Sequence, residues 1–176
     1  VLDCTCPRVS AHGNVTQKAE RVQAMYQQRT KKDIVVVTNV GKGISVRAPG
    51  EDWVLKKGFG MDEVLEEIDK KWGLETPVFV FALSKMRRGI SYRSSSRVPT
   101  HYVILLGRGH NAMNVVQAMG RATFNGRSVL ERNGFSHVTM LATSNDYTMA
   151  QKIQRYIEEI SQRIKNGESF RGAISG

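Results

Sequence analysis

Two short runs constrain this chain more than anything else in it. Asp33-Ile34-Val35-Val36-Val37-Thr38-Asn39 and Val78-Phe79-Val80-Phe81-Ala82-Leu83 are almost wholly apolar and rich in β-branched or aromatic residues. Neither alternates with polar residues, so each reads as a strand buried on both faces, the pattern of a parallel sheet covered by helices. Between them lies an amphipathic helix over Met61 to Gly73, with Val64, Leu65, Ile68 and Trp72 at helical spacing and Gly73 as its stop. Asp62, Glu63, Glu66 and Glu67 in its first turns suit the dipole.

The rest follows the same alternation. Thr16 is expected to cap a helix running to about Arg29 on Ala19, Val22, Ala24, Met25 and Tyr26. After the first strand, Gly41-Lys42-Gly43 fails as a phosphate loop: Val36 stands where a Gly is needed, and Gly43 follows Lys42 in place of Ser or Thr. A hairpin turn into a short strand over Ile44 to Arg47 accounts for it, with Lys42 and Arg47 expected at the carboxyl edge of the sheet. His101 to Leu106 and His137 to Thr143 read as two further strands, and Asp146 to Lys165 as a long helix with Met149, Ile153, Tyr156, Ile157, Ile160 and Ile164 on one stripe, ended by Asn166-Gly167. The expected class is α/β, doubly wound, with helices on both faces of a mostly parallel sheet. Residues 1–16 are expected as a loop or linker, 17–166 as one domain and 167–176 as a loose tail.

Charge and cysteines narrow the partners. With 26 Lys and Arg against 16 Asp and Glu the chain carries +10, which favours a polyanion such as a nucleic acid backbone. The basic residues concentrate in Ser84 to Arg97, which holds Lys85, Arg87, Arg88, Arg93 and Arg97 among serines directly after the second buried strand. These side chains suit phosphate and sugar contacts that read no sequence. Cys4 and Cys6, even with His12, are too few ligands for a structural zinc site. His101 and His110 have no ligand spacing, and Trp72 reads as a core-edge residue. No run approaches the roughly 18 apolar residues of a membrane span. The opening Val1-Leu2-Asp3-Cys4 lacks both Met and a signal peptide's regions, so a fragment or processed product from an intracellular protein, cytoplasmic or nuclear, is expected.

The stretch Asn114 to Arg127 sets Val115, Val116 and Met119 at helical spacing, followed by Gln117, Gly120, Arg121 and Arg127 as a polar group beside Gly-containing turns. Guanidinium groups held together in this way suit phosphate oxygens. Gln117-x-x-Gly120-Arg121 with a later arginine resembles the sixth motif of superfamily 2 helicases, and Ser84-Lys85-Met86-Arg87-Arg88-Gly89-Ile90-Ser91 resembles their fifth. Both belong to the second of the two lobes, which implies a RecA-like three-layer sandwich. The resemblance further implies that Arg121 reaches the γ-phosphate of ATP as an arginine finger, with Arg127 as second finger. It also implies that Gln117, Gly120, Gly89 and Ser91 lie by the nucleotide, and that Ser84, Lys85, Arg87, Arg88 and Arg93 grip a DNA or RNA backbone.

Phe124 stands where the family's second arginine usually comes, and Ser91 where the fifth motif commonly has Asp. The chain has no phosphate loop and no Asp-Glu-x-Asp or Asp-Glu-x-His run. ATP with Mg²⁺ is therefore expected to be bound mainly by an N-terminal RecA-like lobe absent from this chain, without which it is not active. The alternative is a helicase-like module that has lost catalysis and binds nucleic acid or docks a protein. A dinucleotide-binding domain is disfavoured, because Ile44, Ser45 and Val46 follow Gly41-Lys42-Gly43 without the required glycine.

Overall fold

A computed structural model describes residues 2–3, 12–40, 43–82, 91–104 and 127–175. In chain order the elements are β1 (Leu2–Asp3), α1 (His12–Thr30), β2 (Val35–Val40), β3 (Gly43–Arg47), β4 (Val54–Lys56), α2 (Met61–Trp72), β5 (Val78–Ala82) and β6 (His101–Ile104). There follow α3 (Arg127–Arg132), β7 (Thr139–Ala142), α4 (Ser144–Lys165) and α5 (Phe170–Ser175). The helix expected to start at Thr16 begins at His12, so Thr16 lies within it.

β2 shows why its run has no polar alternation. Successive side chains point to opposite faces, and both faces are roofed. Val36 and Val40 pack with Ile34, Phe81 and the α1 residues Val15 and Ala19. Val35 and Val37 pack with Val80 and the α2 residues Val64, Leu65 and Ile68. All six residues of β2 are buried. Trp72 sits partly buried at the margin of the α2 cluster, with the Lys71 ammonium 5.1 Å from its ring centre. The helix opens with the Glu63 carboxylate accepting the Gly60 N–H at 2.6 Å and closes at Gly73, whose φ of +76° only glycine adopts at little cost.

The sheet is not the mostly parallel RecA-like sandwich expected. Its order is β4-β3-β2-β5-β1-β6-β7, and β3 runs antiparallel to both β2 and β4. β4-β3-β2-β5 is thus a four-stranded mixed portion and β6-β7 a two-stranded parallel one. Only the two-residue β1, parallel to β5 on one side and β6 on the other, joins them. The reason is local. Val40 pairs with Gly43 across a connection too short for a crossover helix, so the chain must fold back. Ile44 and Val46 are buried while Gly43, Ser45 and Arg47 are half buried, the alternation of a strand covered on one face. The hairpin itself was legible from sequence; its consequence for the sheet was not.

The helical cover is also uneven. On α4, Met149, Ile153 and Ile160 are half buried, whereas Tyr156, Ile157 and Ile164 are exposed. Thr143 caps this helix: its hydroxyl accepts the Asp146 N–H and donates to the Asp146 carboxylate. The segment after Glu168, expected as a loose tail, forms α5. Arg163 fastens it by donating to the carbonyls of Gly172 and Ala173 at 3.2 and 3.0 Å while pairing with Glu168.

One buried amide ties α1 to the hairpin. Gln23 Nε2 donates to the Ile34 carbonyl and Gln23 Oε1 accepts from Arg47, both at 3.0 Å. Gln23→Leu keeps the volume but strands both partners, and is expected to lower stability by about 1–3 kcal/mol in urea unfolding. A loss below a few tenths of that scale would show that the two partners find other hydrogen bonds.

Candidate nucleic-acid interface

β2, β5, β1, β6 and β7 run parallel, and their register ends them together. Asn39 lies opposite Ala82, Ala82 opposite Asp3, Asp3 opposite Ile104, and Ile104 opposite Ala142. The carboxyl ends of five strands therefore form one row across the sheet, the edge at which ligands of open α/β sheets gather. From this row depart Gly41-Lys42, the stretch holding Ser84, Lys85, Arg87, Arg88 and Gly89, and the stretch holding Gln117, Gly120 and Arg121. These residues lie outside the described residues; the structure fixes the row from which their segments leave.

Among the described candidates, Ser91 and Arg93 are exposed just before a loop that α2 holds. Arg127 is the first residue of α3. Its guanidinium pairs with Glu131 at 2.7 Å, and its side chain is 78% exposed. Arg47, expected at the carboxyl edge, lies opposite Val36 near the amino end of β2, where its guanidinium is engaged by Gln23.

The serine-rich stretch is built, not merely solvated. Ser94 is buried; its hydroxyl donates to Asp69 Oδ2 and accepts the backbone N–H groups of Ser96 and Arg97 at 3.2 and 2.8 Å. Arg97 Nε pairs with Asp69 Oδ1 at 2.7 Å, with 18% and 8% of the two side chains exposed. One Arg97 Nη also donates to the carbonyls of Gly73 and Leu74 at the end of α2. Glu66, one helical turn before Asp69, accepts the backbone N–H of Ser95, and hydrogen bonding from Ser95 holds its carboxyl below the ordinary glutamate range. Across the loop, Asn133 Nδ2 donates to the Ser96 carbonyl at 3.0 Å.

Glu66 and Asp69 are thus the residues that sequence reasoning missed in a structural role. The signal was present, since two carboxylates at helical i, i+3 spacing on α2 share a side and need partners once the helix is packed. From sequence, Glu66 is assigned only to the helix dipole and Asp69 to nothing.

Arg97 consequently belongs to an ion pair and is not available to a nucleic acid backbone in this arrangement. Among the described residues no group of three or more His, Cys, Asp or Glu side chains is arranged to hold a metal ion, and no helix is long and apolar enough to cross a membrane. No protein-family profile, curated protein or solved structure matches this chain.

Proposed function

We propose that this chain grips a nucleic acid backbone with the segments leaving the carboxyl row of its parallel strands, as the second lobe of an ATP-dependent helicase or translocase. The observation that carries the reading is the common register of Asn39, Ala82, Asp3, Ile104 and Ala142. It gives one departure line to the segment with Lys85, Arg87 and Arg88 and to the segment with Gln117, Gly120 and Arg121. In this reading the first segment, with Ser84 and Arg93, contacts phosphates, which suits the excess of +10. The second faces ATP, with Arg121 toward the γ-phosphate and Gln117, Gly120, Gly89 and Ser91 around the nucleotide. A partner lobe supplies the phosphate loop and the Mg²⁺ carboxylates. ATP provides the driving reaction when that lobe is present, and this chain's arginines contribute positive charge where the transferring phosphoryl group carries negative charge.

The test is binding of the chain to a fluorescent single strand and to a duplex across a salt series. Affinity should fall linearly on a log–log plot. Lys85→Ala with Arg87→Ala should reduce the slope by roughly 1.5, since each phosphate contact contributes about 0.7–0.9. Absence of binding at low salt, or an unchanged slope in the double variant, would overturn the assignment of the grip.

A second reading, a helicase-like module without catalysis, is favoured by one arrangement: Arg127 begins α3 in a pair with Glu131, and Phe124 occupies the usual place of a second arginine. Nucleic-acid-stimulated ATP hydrolysis on joining the chain to its phosphate-loop lobe separates the two. Such hydrolysis, lost in Arg121→Ala, supports the motor, whereas its absence supports the module.

A further inference from the structure

Arg93-Ser94-Ser95-Ser96-Arg97 places three serines between two arginines, and the structure gives the serines unequal roles. Ser94 is buried and its hydroxyl organises the turn. Ser95 and Ser96 are exposed. Ser95 has the peculiar position: its backbone N–H donates to Glu66, a carboxylate that stands one turn from Asp69 on α2. Its hydroxyl, which approaches the Ser96 hydroxyl at 3.5 Å, is at the rim of the loop where solvent reaches it. A neutral hydroxyl beside ionised carboxylates supports the clamp. A doubly charged group there opposes it.

We propose that Ser95 is a phosphorylation site and that its phosphate releases the Ser94–Arg97 loop from α2. A serine kinase would transfer the γ-phosphoryl group of a nucleoside triphosphate to Ser95 Oγ. The Oγ–P bond forms, the bond from the γ-phosphorus to the bridging oxygen breaks, the nucleoside diphosphate leaves, and the hydroxyl proton passes to the kinase's base. Arg93 and Arg97 stand symmetrically two residues to either side, and guanidinium groups so placed are recognised by acidic side chains of a basophilic kinase. Such a kinase engages the loop when Arg97 leaves Asp69, so modification captures the opened form of the loop.

The product carries a charge of about −1.5 to −2 at pH 7. It stands beside Glu66, which accepts the Ser95 N–H, with Asp69 one turn further along α2. Like-charge repulsion therefore replaces attraction at Glu66. The phosphate also competes with Asp69 for the Arg97 guanidinium, drawing Arg97 away from the carbonyls of Gly73 and Leu74. Three backbone N–H groups report the release: that of Ser95 directly, since its partner Glu66 is on α2, and those of Ser96 and Arg97 through the Ser94 hydroxyl, which Asp69 of α2 holds in place. This inference stands on the loop's geometry and does not depend on what the chain binds.

The experiment uses the intact chain with ATP and a basophilic serine kinase that selects arginine on both sides of its acceptor. Tandem mass spectrometry maps the phosphate, and hydrogen exchange follows the amides of Ser95, Ser96 and Arg97. Phosphate on Ser95 is expected, with exchange at those amides about tenfold faster. Ser95→Ala should lack both changes, and in Glu66→Gln, where the repelling charge is gone, the phosphorylated chain should show a smaller acceleration. No phosphate on Ser95, phosphate on Ser96 alone, or unaltered exchange in the Ser95-phosphorylated chain would each overturn the proposal.

Discussion

Phe81→Ala is expected to remove about 3–5 kcal/mol of stability, the range for truncating a fully buried phenylalanine. Phe81 is 2% exposed, and it lies in β5 with Thr38 of β2 opposite it on one side and Leu2 of β1 on the other. Its ring fills the layer between the sheet and α1, among Val15, Ala19, Ile34, Val36 and Val40. Four of these five neighbours are β-branched, and Val36 and Val40 are fixed on β2, so they move in poorly to refill the space. At about 2–4 °C per kcal/mol for a chain of this size, the melting midpoint should drop by roughly 6–20 °C, and urea unfolding should show the same loss. Phe81→Leu, which refills most of the volume, should cost markedly less. A loss near 1 kcal/mol for the alanine variant would mean that the α1 layer collapses onto the sheet, against the packing described.

Asp69→Ala should be the next most damaging change, at about 2–4 kcal/mol. Breaking a buried pair from one side costs about 3–5 kcal/mol because a charge is left without its partner. The figure is lower here because Arg97 is partly exposed and keeps the Gly73 and Leu74 carbonyls. The loss has two parts, Arg97 and the Ser94 hydroxyl, and variants can separate them. Arg97→Ala leaves Asp69 with Ser94, so its cost isolates the first. A double-mutant cycle between Asp69→Ala and Arg97→Ala should give a coupling of about 1–3 kcal/mol. Additive losses would show that the pair contributes nothing beyond what each residue makes separately.

The parts of the fold that could be read from sequence are those decided within a few residues. Ile34 to Val37 and Val78 to Ala82 can only be roofed strands, because an unbroken apolar run has no face to give to water. α2 follows from the spacing of Val64, Leu65 and Ile68, and the hairpin from the two residues between Val40 and Gly43. What the sequence hid depends on partners far along the chain. That β3 and β4 extend one side of the sheet, and that a two-residue strand sits in its middle, is decided by pairing energies spread over both halves. Ser94, Ser95 and Ser96 carried no packing signal of their own, and only the arrival of Asp69 and Glu66 turns them into a fixed loop. The short helix of Phe170 to Ser175 was hidden likewise, since what secures it is the reach of Arg163. Of the candidate interface, the common departure row emerged only from the register, while the basic and glycine-containing segments that leave it were visible as composition.

β1 imposes an order of events on folding. Leu2 and Asp3 precede every other strand in the chain, yet they pair with Phe81 and Ala82 on one side and with Val103 and Ile104 on the other. Contacts so distant in sequence close late, after the local hairpin and helices have formed. Until then β5 and β6 each present an unpaired margin, and such margins are where a growing chain sticks to its neighbours. Within this stretch of chain the strand that comes earliest in sequence is thus the last to be seated, and the interval before it pairs is when β5 and β6 are most exposed to misassembly.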